Sequence, residues 1–434
     1  LIMIKNDLDK ILGFYEPGVL HLRINTDENI FDLNSLISIN PELFSTFLHE
    51  YIHFLQNITT TFGLFQTSFY INYIKDLNKT VLKLDSNLFE TPVKLNDDFY
   101  SNTNLQLLNL YNGDNNPIDY IKYDYYIEEP IEFIDNEDNK FYPLKYKVFY
   151  YNKKGKSLNF HFGATCIKEY VAHAIQSDYQ HNVSHPDVPY LVAELIVQKE
   201  YPAIGSSKRI MIALCDISLM AYDPARQFFA ILKELKNSNY VPKNENDLIV
   251  FVKKQLKFVN KNGTTSQNEL FEATQKQVIS HLNDALKSKI FAKDLAWLIH
   301  ILKNAYEIRI DDPNFMNKFI EEPTKLSLYF LDLFKKLGSP FYSNINFESG
   351  YVPPRDTVFA SQPYMLLVFK QILNVYNGGL KCKLYDFCLK SNEEIVNNHC
   401  ISAPWKRTKL DGKCPFIQFW ITWGLENKSP YDKN

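Results

Sequence analysis

The sequence has no long hydrophobic run, no excess of either charge and few cysteines. Nowhere do eighteen or more apolar residues follow one another, so no membrane-spanning helix and no membrane partner are expected. Lys and Arg number 47 against 50 Asp and Glu, a net charge of −3. That balance excludes the broad basic field that draws nucleic acid or an anionic surface. Short lysine pairs such as Lys253-Lys254 and Lys335-Lys336 read as solvated helix faces. Six cysteines in 434 residues do not make a disulfide scaffold. The opening residues Leu1 to Asp7 carry no apolar run behind a basic stretch, so no signal peptide is expected. Both features point to a reducing, cytoplasmic setting. No internal repeat is visible.

What is present is core-forming material. Hydrophobic residues are 45% and charged residues 22%, enough to bury a large core in two or three domains or one large one. Residues 18–25 alternate like a strand. Asn40-Pro41-Glu42 is a helix start: a capping side chain, a proline suited to the first turn, and an acid at the positive end of the dipole. This helix is predicted to reach about Thr61 and break near Gly63, with a second over Leu64–Leu84. Residues 85–140, rich in Asn and Asp, read as surface loops and short elements. Tyr146–Tyr151 and Ser157–Phe162 flank a turn at 152–156 and predict a hairpin, followed by a helix over Thr165–Ser177. Helices are predicted over 188–200, 207–220, 224–236, 246–259, 266–286, 291–306 and 324–337. Residues 338–363, with two glycines and four prolines, read as a long irregular connection.

The chemistry lies in His49-Glu50-Tyr51-Ile52-His53, an H-E-x-x-H pattern. On a helix, positions i and i+4 share one face, which lets two imidazoles meet one zinc ion. Glu50 then sits where a general base is needed, beside a water acidified by the metal. At 100° per residue Phe44, Leu48, Tyr51, Ile52, Leu55 and Phe62 form an apolar stripe, with the two histidines nearly opposite. The helix is therefore expected to be buried with a polar face open to a cleft.

These residues resemble the active-site helix of zincin metallopeptidases. Gln56 and Thr59 stand where the metzincin branch needs Gly and His, which excludes that branch. The segment Gly163 to His173 resembles the glutamate helix of gluzincins: Ile167, Val171, Ala174 and Ile175 make its buried stripe, and Glu169, His173 and Gln176 fall opposite. The resemblance implies Glu169 as third zinc ligand, with His173 as a rival or a neighbour of the site. His173 also stands where gluzincins carry an Asp that supports a zinc histidine. Candidates for stabilising the oxyanion are Tyr190, Tyr222, Arg226, His161 and His185, and Asp216 and Asp223 could orient the zinc histidines. The hairpin 146–162 or the strand 18–25 could align an extended substrate.

A second constellation lies near the C-terminal end. Cys382, Cys388, Cys400 and Cys414 fall within 33 residues of chain and could hold a structural metal or an iron–sulfur cluster, or simply pack beside Trp405, Phe416, Trp420 and Trp423. Cys166 and Cys215 read as buried thiols. The combined expectation is an α+β fold, mostly helical. A zincin-like metallopeptidase domain with a small antiparallel sheet would occupy 1–240, and a helical region ending in a cysteine-rich module 241–434. The expected function is a zinc-dependent endopeptidase acting on an intracellular protein or peptide, restrained by a regulatory protein or by lids at 85–140 and 338–363. Two rivals are a di-metal carboxylate protein, for which Glu50-x-x-His53 would be one ligand pair, and a catalytically silent zincin-fold binding protein.

Overall fold

Asn40 starts the helix on which much of the molecule is assembled. Its side chain accepts the Leu43 N–H, Pro41 occupies the first turn, and the helix runs over Pro41–Thr59. Beyond its first three residues only His53 is not buried. The chain, a computed structural model, is described over residues 13–28, 32–95, 99–134, 139–181, 183–260, 263–355, 365–391, 396–409 and 414–432. The break falls at Thr60, slightly before the predicted place. The Thr60 side chain accepts the Gly63 N–H and opens a second helix over Thr61–Leu82. Gly63 lies inside that helix's first turn because the two helices nearly touch: a Cβ there would sit 2.3 Å from the Asn57 carbonyl oxygen.

Where the sequence predicts one strand over 18–25, two short strands form. Gly13–Glu16 and His21–Ile24 are antiparallel across a tight turn at Pro17–Val19. His21–Ile24 then pairs in parallel with Phe341–Ser343, which pairs antiparallel with Ser349–Gly350. The predicted irregular connection 338–363 thus supplies two strands of a four-stranded sheet; its residues 356–364 lie outside the described residues. Strands of two and three residues leave no periodicity to read.

Residues 85–140, expected as loops and short elements, hold longer elements as well. They hold a strand, Leu88–Thr91, that pairs in parallel with Ser429–Asp432, and a helix over Phe99–Asn112. Lys122–Pro130 pairs antiparallel with Leu144–Tyr151, with a register shift between Tyr123 and Tyr125. Its acids, lysine and tyrosines disguise the strand, yet Tyr126 stacks on Phe229 with ring centroids 4.1 Å apart. The predicted hairpin is present as Leu144–Tyr151 and Ser157–Phe162. It runs through Gly163 straight into a helix over Ala164–Tyr179. Gly163 is required by close packing, since a Cβ would lie 2.4 Å from the Asn112 carbonyl group.

The fold is mixed α and β, mostly helical, with several small sheets. Helices follow near the predicted places, among them Val192–Glu200, Lys208–Ser218, Pro224–Asn237, Glu245–Gln255, Gln267–Ala285, Ala292–Asp311 and Leu328–Leu337. Ala164–Tyr179 and Ala292–Asp311 both pack on the motif helix. One hydrophobic core runs through residues on both sides of position 240, from Leu22 and Tyr51 to Phe334 and Trp420. No helix among the described residues is long and apolar enough to cross a membrane.

A buried ion pair locks the end of the motif helix. Arg309 donates to both carboxylate oxygens of Asp216, at 2.5 and 2.9 Å. Its Nε donates to the Thr59 carbonyl oxygen at 2.9 Å, satisfying a group that the helix end leaves open. Both side chains are almost fully buried. Removing one partner strands the other charge in the core. Arg309→Met should therefore cost about 3–5 kcal/mol of stability, read from urea unfolding; a loss within experimental error would show that the pair does not hold the helix end.

Candidate metal centre

The 3.6-residue period puts His49 and His53 on one face of the motif helix, with ring centroids 4.9 Å apart and planes nearly perpendicular. Glu169, in the second turn of the Ala164–Tyr179 helix, meets both. Its Oε2 is 3.1 Å from His49 Nε2 and 3.2 Å from His53 Nε2, and the two nitrogens are 3.2 Å apart. Among the described residues this is the one group of three ligand-type side chains whose atoms converge within 4.8 Å. Ligands of a tetrahedral zinc at about 2.0–2.1 Å stand about 3.3–3.4 Å from one another. The observed triangle fits that requirement closely.

The hydrogen bonds behind the histidines set what they present at the front. Gln56 Nε2 donates to the Lys168 carbonyl oxygen at 3.1 Å, which turns its own oxygen toward His53 Nδ1 at 2.9 Å. Gln176 Oε1 lies 3.0 Å from His49 Nδ1. With each Nδ1 against an amide oxygen, each ring turns its Nε2 to the centre. Two ring nitrogens and a carboxylate oxygen converge there, a set of ligand atoms that suits a cation. Burial opposes ionisation of Glu169, but His53 and His49 outweigh it and hold the carboxyl well below the usual range. Burial would lower His53, but Glu169 outweighs that and raises it.

Glu50, one residue past His49, is buried at 7% exposure. Burial pushes its carboxyl above the ordinary value, against the pull of His49 and His53. The Tyr15 N–H, on the outer edge of the strand Gly13–Glu16, bonds to this carboxylate.

Around the triangle stand the aromatic rings of His173, His185 and Tyr190. His185 stacks on Tyr190 at 4.2 Å, and the two rings lie 5.9 and 6.0 Å from His49. His173 is 5.1 Å from His185, and its buried Nδ1 has no hydrogen-bond partner among the described residues. Burial, His185 and His49 lower His173 to about 3, and burial and His49 lower His185 to about 4, so both rings are neutral. Beside His53 and Glu169 opens a cleft lined by Tyr15, Pro17, Gln56, Asn57 and Lys168.

Other predicted residues make their contacts elsewhere. His161 sits on the strand Ser157–Phe162, with its N–H on Asp114. Tyr222 bonds Thr274 and packs on Phe65. Asp216 is taken by Arg309, and Asp223 caps the Pro224–Asn237 helix through the Arg226 N–H. The histidines are instead oriented by Gln56 and Gln176. Sequence reasoning did not assign those roles, although Gln56 follows His49 by seven residues and Gln176 follows Glu169 by seven, each on the same helical face. Tyr15 and Lys168 carried no signal.

Gln56→Leu and Gln176→Leu should each lower zinc affinity about 10- to 100-fold, measured by competition with a chromophoric chelator. Wild-type affinity in both would show that the amides do not set the tautomers. Comparison with protein-family models, curated proteins and solved structures gave no match to this chain.

Proposed function

We propose that the chain is a zinc-dependent metallopeptidase of gluzincin-like type, an endopeptidase acting on a protein or peptide. The observation that carries this reading is the convergence of His49, His53 and Glu169 on one point, with Glu50 adjacent on the same helix. His49, His53 and Glu169 would hold the ion. Zinc there would supply Lewis acidity, lowering the pKa of a water and polarising the carbonyl to be cleaved.

The chain's own groups do the rest. Glu50 accepts the proton of the attacking water and passes it to the leaving amine. Its elevated affinity for a proton suits that shuttle, and the Tyr15 N–H fixes its direction. Tyr190 is the preferred oxyanion donor: burial, with Glu169 and Glu50 nearby, raises its hydroxyl above the ordinary value and keeps it protonated. His173 and His185 are neutral and can bond a substrate amide. Lys168 puts a cationic group in the cleft, partly held charged by Glu169 against burial.

A di-metal carboxylate centre would need a second Glu-x-x-His pair. Among the described residues the convergent set is two histidines and one glutamate, which supports the mononuclear reading. A silent binding protein and an active peptidase differ in turnover. Zinc-loaded wild type should cleave members of a proteome-derived peptide library, identified by mass spectrometry of the new termini. Glu50→Gln should retain zinc and fold while losing about 10²–10⁴-fold in rate. Equal cleavage by that variant would remove Glu50 from the chemistry, and no cleavage by the loaded wild type would favour the binding protein.

A further inference from the structure

Cys382, Cys388, Cys400 and Cys414 are buried free thiols, and among the described residues they form no converging set of metal ligands. The chemistry left over lies instead in the cleft beside the histidine triangle. Its walls spend most of their polar groups on one another. Tyr15 donates its hydroxyl to Asn57 Oδ1 at 2.7 Å, and Asn57 Nδ2 donates in turn to the Gly63 carbonyl oxygen at 2.7 Å and to Thr67 Oγ1 at 3.1 Å. The Thr60 hydroxyl donates to the Gln56 carbonyl oxygen at 2.6 Å, and Gln66 donates to Asn112 at 2.9 Å. The Gln56 amide is used at both ends, on His53 and on the Lys168 carbonyl oxygen.

Lys168 is the exception. It lines the cleft, half-buried, and among the described residues its ammonium forms no hydrogen bond and no ion pair. Nζ lies over the Phe62 ring, 5.9 Å from the centroid, at the start of the Thr61–Leu82 helix. The neighbouring Glu169 does not neutralise it. Successive side chains on a helix diverge by about 100°, and the Glu169 carboxylate is turned to His49 and His53. An ammonium that has given up part of its water without gaining a counter-ion favours an anion in the same cleft. Thr60 and Gly63, in the same wall, belong to the cap and first turn of the Thr61–Leu82 helix, where the positive end of the helix dipole adds to that preference.

We propose that Lys168 binds a carboxylate of the peptide substrate, placed within one or two residues of the bond to be cleaved. The inference rests on the peptidase reading for the identity of the substrate as a peptide. The position follows from the lining: His53 and Glu169 share the wall with Lys168, and an extended chain advances only about 3.3–3.6 Å per residue. An Asp or Glu side chain and a chain's own C-terminus present the same two oxygens to the ammonium. The first would make the protein an endopeptidase selective for acidic sequences, the second an enzyme that trims chain ends.

The test uses the full zinc-loaded chain and random-sequence synthetic peptides made with free or amidated C-termini. Among the bonds cut, Asp or Glu within two residues should be favoured about 10- to 100-fold over Asn or Gln, the range expected for a hydrogen bond to a charged group. Cleavage confined to the ends of free-acid peptides would instead identify the terminal carboxylate as the group bound. Lys168→Met should abolish the preference and Lys168→Arg retain it, since both keep the carbonyl that Gln56 uses and only one keeps the charge. A second readout does not depend on turnover. In the series of monohydroxamates from succinic to adipic acid, the best-fitting member should bind the loaded wild type about 10- to 100-fold more tightly than its neutral carboxamide, and Lys168→Met should bind the two alike. Cleavage with no acidic or terminal preference would overturn the inference and leave the peptidase reading standing. No cleavage, with a carboxylate preference in hydroxamate binding that Lys168→Met removes, would overturn the peptidase reading and support the anion site. Absence of the preference in both readouts would overturn the inference.

Discussion

Three ligand-type atoms brought to one point form the constraint around which the rest of this molecule is organised. Two imidazole nitrogens and a carboxylate oxygen stand 3.1–3.2 Å apart, the spacing of ligands around one cation. Holding them there needs rigid supports. The motif helix is buried along almost its whole length, so its two histidines cannot swing away together. Glutamate and histidine faces are pressed together by packing between the two helices, and the two glutamines fix which nitrogen faces inward. The buried Arg309–Asp216 pair then closes the far end of the same helix. A substitution far from His49 can therefore reach the site by loosening the helix that carries it.

The local part of this arrangement was legible in the sequence. Asn40-Pro41 marked the helix start, and the four-residue spacing of His49 and His53 marked the face they share. Glu169 was legible as the one acid opposite the stripe of its helix, and the geometry places it against both histidines. What could not be read were pairings between distant, very short segments. Phe341–Ser343 carries three residues of strand, less than one full alternation on each face, and its partner lies more than three hundred residues away. Lys122–Pro130 hid behind its charge, because a strand with one solvated face needs few apolar residues. His161 and Tyr222 were guessed from chain position, which carries no directional information. Tyr15 contributes through its backbone N–H, a group every residue but proline possesses, so no residue type could have pointed to it.

The four-stranded sheet has a consequence for how the chain is made. The strand whose Tyr15 N–H steadies Glu50 pairs with His21–Ile24, and that strand is backed by Phe341–Ser343, with His21 Nε2 2.8 Å from Ser343 Oγ. These two residues are 322 positions apart. At about 5–20 residues per second, a ribosome needs some tens of seconds to deliver the second after the first. During that interval the nascent chain displays His49, Glu50 and His53 without the finished sheet behind them. Synthesis order thus delays the backing of the strand beside Glu50 until more than three quarters of the chain has been made.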